Sequence, residues 1–304
     1  MSNDTLTHGK DINWWLREGA NKLSHLELPR LESILLLSHA LKKSKEEIYA
    51  SPNQVLDEKT GELFLSLVKR RSEGEPSAYI LGKKEFFDLE LEVNHSVLIP
   101  RPDTEIIVEK AIEIIDAALT NKKKNSPALK IVDCCTGSGA IIIALAKRFK
   151  QQINENHLIF YGCDISKEAL AVAKKNQANH NLQNKIEFLC GNLLLPLASK
   201  APFFLIVTNP PYLTKAECDE KKEKGWHEPN LALEAGEDGL LYIKKIIKEA
   251  NSFLEEGGHL LIEASSNQMK QIDTLLGEAL FKNINITKDL ANRDRVIGGQ
   301  LWKT

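Results

Sequence analysis

The chain has 304 residues, of which 42% are hydrophobic and 27% charged, with a formal net charge of −2. That balance suits an ordered globular protein of up to two domains and argues against one that grips nucleic acid chiefly by neutralising phosphates. The N-terminus lacks the basic, apolar and small-residue order of a secretory leader, and apolar runs such as Ala140 to Ala146 are too short to cross a bilayer. The expectation is therefore a cytoplasmic protein without membrane association.

Residues 9 to about 74 read as helices only, around Trp14 to Leu16, from Leu31 to Leu41 after Pro29, in a short turn at Ser44 to Tyr49, and from Leu56 to Arg71. Short amphipathic helices cannot bury a face alone, so they should form a small bundle, an N-terminal domain over 1–78. Lys69-Arg70-Arg71 reads as a solvated helix end. The stretch from Phe86 to Val93, followed by Asn94-His95-Ser96 and Val97 to Ile99, predicts a β-hairpin linker within 79–100. A helix from about Asp103 to Leu119 follows, closed by the polar stretch Thr120 to Pro127.

From Leu129 onward strands and helices alternate. Strands are expected near 129–134, 158–163, 185–190, 203–208 and 258–264, and helices near 140–150, 167–180, 239–254 and 267–281. Such alternation implies a parallel sheet covered on both faces, here over 101–304. Two last strands, Asn283 to Lys288 and Arg295 to Trp302, are too close for a crossover and should pair antiparallel. The fold class is thus α/β, a seven-stranded, doubly wound, mostly parallel sheet of the S-adenosylmethionine-dependent methyltransferase type, with a small helical bundle joined to it by a β-hairpin. Cysteines at 134, 135, 163, 190 and 218 form no Cys-x-x-Cys pair and support neither zinc nor a disulfide framework; Cys163 and Cys190 read as small core residues.

Asn209-Pro210-Pro211-Tyr212, directly after the apolar run Phe203 to Val207, carries the sharpest chemistry. A planar nitrogen has a delocalised lone pair, so transferring a group to it requires fixed oxygens that accept its N–H groups and aim it at an electrophile. An Asn side-chain oxygen and a proline-flanked carbonyl supply these, and Tyr212 offers a flat face. The competing reading is a strand-ending turn. Asp133-Cys134-Cys135-Thr136-Gly137-Ser138-Gly139 ends the first expected strand, and glycines at 137 and 139 allow backbone to approach a ligand at a helix N-terminus. Ile142 replaces a third glycine, so the dinucleotide fingerprint fails. Asp164, after the second strand, is placed to accept both hydroxyls of a ribose, or else caps the next helix, a role open to Ser166. Asn192 and the apolar Leu193 sit where an adenine ring would lie. The segment from Leu213 to Gly239 is long for a loop and reads as a lid, with His227 on the surface. Glu263 is either a cleft carboxylate or a core residue.

On these residues the chain resembles the bacterial peptide chain release factor glutamine methyltransferases over nearly all its length. The likeness is carried by Glu75 to Ile80 with Phe86-Phe87, by Ile99-Pro100-Arg101-Pro102-Asp103-Thr104-Glu105, by the Thr136 to Gly139 loop, and by Asn209 to Tyr212 with Glu228-Pro229 and Ala232-Leu233. The resemblance implies that S-adenosylmethionine is the cofactor, surrounded by Cys135, Thr136, Gly137, Ser138, Gly139, Asp164, Asn192, Leu193 and Asn209. It further implies that Asn209 and the Pro210 carbonyl hold the glutamine amide of a release factor's Gly-Gly-Gln motif, with Tyr212 packed nearby. Pro211, Arg101 and Glu105 complete the expected substrate side, and the helical domain should help grip the release factor. A monomer with no metal and no stable nucleic-acid binding is expected. Departures are Cys135 in place of a glycine, Asn192 in place of an aspartate, and Ala264-Ser265 where a glycine usually follows Glu263. The alternative acceptors are a ribosomal protein glutamine and the exocyclic amine of adenine; a third reading is a binding module without catalysis.

Overall fold

The computed structural model describes residues 10–123, 126–223 and 225–303, so expectations touching 1–9, the 124–125 part of the polar closing stretch, 224 or 304 lie outside it. The chain divides into two compact units, one comprising Met1–Gly82 with Glu223–His227, the other Lys83–Lys222 with Glu228–Thr304.

The first unit holds α1 (Ile12–Lys22), α2 (Pro29–Leu41), α3 (Lys45–Ala50), α4 (Glu58–Ser72) and α5 (Ser77–Leu81). Each boundary has a local cause. The Asp11 carboxylate accepts from Trp14 N–H at 2.8 Å to cap α1, Asp57 does the same for Thr60 at α4, Ser44 and Glu47 form a capping box on α3, and Pro29 opens α2. Trp15, Ile34, Leu37, Phe64 and Val68 lead a shared buried core. Gly19 and Gly61 allow the helices that close approach. A methyl at Gly61 would lie 2.3 Å from Trp15 Cζ2, and one at Gly19 would lie 2.5 Å from Phe64 Cζ. At the end of α4, Lys69 and Arg70 are exposed as expected of a solvated helix end, Arg70 in a bidentate pair with Glu75, whereas Arg71 is half-buried and pairs with Glu32 at 3.1 Å.

The second unit begins with a hairpin, β1 (Lys83–Phe86) and β2 (Leu89–Glu92), whose turn differs from the expectation. It closes at Phe87-Asp88, both at positive φ (48° and 59°) as a primed two-residue turn demands, so Val97 to Ile99 are not its second strand. Phe at a left-handed position is no turn signal, which is why the sequence concealed it. Asn94-His95-Ser96 does turn the chain, with the Asn94 side chain accepting from Ser96 N–H. A 3-10 turn, Pro102–Thr104, leads into α6 (Glu105–Thr120).

The sheet then unfolds in chain order: β3 (Leu129–Cys134), α7 (Ala140–Arg148), α8 (Lys150–Asn154), β4 (Leu158–Asp164), α9 (Lys167–Asn179), β5 (Ile186–Cys190) and β6 (Phe203–Thr208). After α10 (Lys215–Glu223) come α11 (Leu241–Phe253), β7 (Leu254–Glu263), α12 (Met269–Glu278), β8 (Phe281–Lys288) and β9 (Asp294–Leu301). The strand order is β5-β4-β3-β6-β7-β9-β8, parallel except for the reversed β9, so the expected fold class is the one found. Alternation divides the core. Ile131, Phe160 and Leu261 face one cluster with α6 and α7, while Val132, Tyr161 and Leu260 face another with α11 and α12. Cys163 is buried as expected; Cys190, ending the edge strand β5, is exposed and is not a core residue. Leu213 to Gly239 is not one long loop, since it contains α10, a 3-10 turn at Asn230–Ala232 and a parallel bridge between Leu213 and Glu234. No described helix is long and apolar enough to cross a membrane.

Gly61→Ala should destabilise the helical unit although alanine is the better helix former. Overpacking against Trp15 costs about 1–3 kcal/mol, against about 1 kcal/mol gained in propensity. Urea unfolding followed by Trp fluorescence should show a lower midpoint than in the wild-type protein.

Candidate active site

The carboxyl ends of β3 and β6 lie side by side, with Cys134 and Thr208 in register, so the segments leaving them share one edge of the sheet. The chain leaving β3 is tightly held. Thr136 N–H donates to Cys163 O at 3.0 Å, the Thr136 hydroxyl to Asp133 Oδ2 at 2.6 Å, and Gly137 N–H to Asp164 Oδ2 at 2.9 Å. The buried Asn176 amide donates to both Ser138 O and Glu92 O and accepts from Glu92 N–H, tying this loop to the hairpin. Cys135 (62°), Gly137 (53°) and Gly139 (82°) all have positive φ. The two glycines do different work. Around Gly137 an added methyl would meet nothing within 4 Å, whereas at Gly139 it would lie 2.8 Å from Ile143 Cδ1, so Gly139 serves the packing of α7.

A cavity of roughly 290 Å³ opens at this edge. Its wall includes Cys135, Thr136, Gly137, Ser138, Asp164, Asn192, Leu193, Asn209, Pro211 and Arg101. Two weak sequence signals, the glycine loop and Asn209, thus meet in one concave space. Gly139, Pro210, Tyr212 and Glu105 are not part of the wall. Glu105 accepts instead from Phe87 N–H at 3.0 Å. Tyr212 packs against the α11–α12 core, its carbonyl accepts from Gln268, and burial, with the nearby Glu263 charge, pushes its hydroxyl up to about 12. It is neutral at every physiological pH.

Asp164 accepts from Gly137 N–H through one oxygen and from Ser166 N–H through the other, each at 2.9 Å, and Ser166 itself caps α9. Burial raises its pKa against those two hydrogen bonds. The two bonds fix the carboxylate, and Asp164 forms part of the cavity wall. Asp133 is fully buried with Oδ1 lacking a hydrogen-bond partner, and burial lifts it to about 7. The neighbouring Cys135 and Cys163 thiols, together with burial, raise the Cys134 thiol well above the usual thiol range. Among the described residues no cluster of His, Cys, Asp and Glu could hold a metal.

Several wall residues had no role assigned from sequence, among them Ser96, Thr104, Ile165, Leu231 and Tyr242. The buried Glu228 pairs with Arg101 and accepts from Ile99 N–H at 2.8 Å, which seats the Ile99 to Glu105 stretch beside the cavity. Asn209 Nδ2 donates to the Thr104 hydroxyl at 3.3 Å. Glu263, left undecided by sequence, is 1% exposed and lines no part of the cavity. His227 is exposed, as expected.

The Asp133 shift sets a sign for stability. The folded protein keeps this proton up to about pH 7, whereas the unfolded chain releases it near the ordinary aspartate value, so the contribution is complete at low pH and is lost as pH rises through 7. Unfolding free energy should therefore fall from the ordinary aspartate value of 3.8 up to about pH 7 and level off above it, and urea titrations of Asp133→Asn should show a visibly shallower decline.

Comparison with known proteins gives these residues a context. The family model for the PrmC N-terminal domain matches 15–82, and that for N-6 DNA methylases matches 100–266. The release factor glutamine methyltransferase of Buchnera aphidicola subsp. Schizaphis graminum is 39% identical, covering 95% of this chain and 99% of the relative. That of Haemophilus influenzae is 36% identical, covering 95% and 98%. Among solved structures, the human METTL16 catalytic domain in complex with an RNA hairpin superposes with a TM-score of 0.54 at 14% identity, over 81% of this chain and 83% of that one, a likeness of fold. The sequence relatives match from end to end, through both the helical unit and the sheet that carries the cavity, and the chain belongs to the release factor glutamine methyltransferase family.

Proposed function

We propose that this protein transfers a methyl group from S-adenosylmethionine to the side-chain amide nitrogen of the glutamine in the Gly-Gly-Gln motif of translation release factors, in the cytoplasm and as a monomer. The observation that carries this reading is that Asn209 and the Cys135 to Ser138 loop, with Asp164, open into the same cavity. The cavity fits the cofactor chemically. Asp164 presents a fixed carboxylate for two ribose hydroxyls, Leu193 and Ile165 give an apolar wall, Asn192 a polar one, and the free space at Gly137 leaves backbone open to a ligand.

When bound, the cofactor supplies an electrophilic methyl on a sulfonium. The chain's own part is positioning. Asn209 Oδ1 and the Pro210 carbonyl accept the two N–H groups of the substrate amide, draw density onto its nitrogen and hold it in line with the methyl. The amide nitrogen held in this way would take the methyl, and its surplus proton would pass to water. No general base is required, which agrees with an exposed His227 and a Glu263 outside the cavity wall. The helical unit is assigned to gripping the release factor, and Arg101, fixed by Glu228, to the substrate side of the site.

The test is methyl transfer from labelled S-adenosylmethionine to a purified release factor, beside the same factor with its motif glutamine replaced, a ribosomal protein acceptor and adenine-containing DNA. Label on the intact factor alone is expected; label on DNA alone would overturn the acceptor assignment. Asn209→Ala should lower kcat by about tenfold to a hundredfold with cofactor affinity nearly unchanged. Asp164→Ala should do the reverse, weakening cofactor binding by calorimetry at least about tenfold, the usual scale for a charged hydrogen-bond acceptor.

A further inference from the structure

The proposed chemistry needs only the end of a glutamine side chain inside the cavity. That group is common to proteins of every kind, so choosing one acceptor among them falls to surface outside the cavity. The sheet topology brings one such surface to the right edge. β8 and β7 both run opposite to β9, so the turn from β8 to β9, residues 289–293, leaves the same carboxyl edge of the sheet as the loops after Cys134 and Thr208.

Nothing inside this turn requires the leucine at its tip. The Asp289 carboxylate accepts from Ala291 N–H at 2.9 Å, from Arg293 N–H at 3.0 Å and from Arg293 Nε at 2.9 Å. Asp289 N–H donates to Arg293 O at 2.8 Å, and Asn292 takes the left-handed position at φ 61°. Leu290 makes none of these bonds. Its side chain is 99% exposed, whereas the other exposed large apolar residues among those described lie between 38% and 67%.

The turn is also latched to the cavity wall. Asp103 receives Arg293 Nη2 at 2.9 Å and Arg295 Nη2 at 3.0 Å, and Arg295 pairs with Asp289 at 3.3 Å. Asp103 stands between Arg101 and Thr104 in the chain, and both of these line the cavity. An isolated leucine is ordinary on a protein surface. A fully exposed one, on a turn fixed from within and tied to the wall of the site, presents an apolar side chain that can dock without first ordering a loop.

We infer that the β8–β9 turn is a docking knob for the acceptor protein, with Leu290 entering an apolar depression beside the loop that carries the target glutamine. The inference rests on the methyl-transfer reading above and gives its protein substrate a contact surface. Continuity of the turn with the cavity wall favours the acceptor as occupant over a second copy of this chain.

Kinetics and cross-linking test the knob. Leu290→Asp should raise KM for a purified release factor at least about tenfold, the scale of one buried leucine lost from an interface, with kcat, cofactor affinity and melting temperature unchanged. Leu290→Met should keep most of the wild-type KM. With Leu290 replaced by photoreactive p-benzoylphenylalanine, the protein should cross-link to the release factor in the segments flanking its Gly-Gly-Gln motif. The same probe at Lys282, exposed at the other end of β8, should not. Cross-linking needs no methyl transfer. A factor cross-linked beside the motif but not methylated would defeat the functional reading and leave the docking surface standing. Methylation by Leu290→Asp with wild-type KM, or a cross-link formed only elsewhere on the factor or to a second copy of this chain, overturns the docking surface and leaves the reading intact. Neither methylation nor a cross-link overturns both. Should Leu290→Asp lower the melting temperature, the cross-link decides the question alone.

Discussion

The pairing of β3 with β6 is the constraint on which the site depends. These strands are not neighbours in sequence; the chain leaves β3 to one side, builds β4 and β5, and returns to lay β6 on the opposite edge of β3. The two directions part here, and the loops after Cys134 and Thr208 both contribute to the cavity wall. All six residues of β6 are buried, which leaves this strand little freedom to slip: a one-residue shift would exchange the sets facing the two cores and would carry Asn209 away from the loop beside it.

Around that cavity the polar groups are held by hydrogen bonds and ion pairs from backbone and side chains alike. Asp164 is positioned by two amide N–H groups, Ser138 by the Asn176 side chain, and the Ile99 to Glu105 stretch by Glu228 below and by Asp103 pairing with Arg293 and Arg295 above. Side chains that are fixed in this way lose little further freedom when a ligand arrives, and preorganisation of this kind is what a reaction dominated by positioning requires. Cys135 is the exception, because a non-glycine residue at φ 62° carries strain that its glycine equivalents would not.

What the sequence revealed and what it hid follow from the range of the interactions. The strands and helices of the second unit were legible because each has its own periodicity, and the continuous apolar run of β6 announced a strand buried on both faces. The two ends of the cavity were legible because a glycine loop and an Asn-Pro-Pro-Tyr run are local. Hidden were the features decided by partners far along the chain. Thr104 sits in a quoted motif, yet its hydrogen bond with the Asn209 amide, 105 residues further along the chain, appears only in the folded structure. Gly139 looked like ligand space and is instead clearance for Ile143, a distinction that only packing makes. The Phe87-Asp88 turn escaped because the residue at its left-handed first position is one that rarely adopts it.

The chain also carries Gly298-Gly299-Gln300, the same three residues proposed as its target. They lie in β9, paired with β7 on one side and β8 on the other, with both glycines buried. The Gln300 carboxamide is occupied at both ends, donating to Gly257 O at 2.8 Å and accepting from Asn283. A glutamine laced into a sheet in this way has its oxygen and one N–H already committed, so the triplet by itself does not present the amide that the proposed reaction needs.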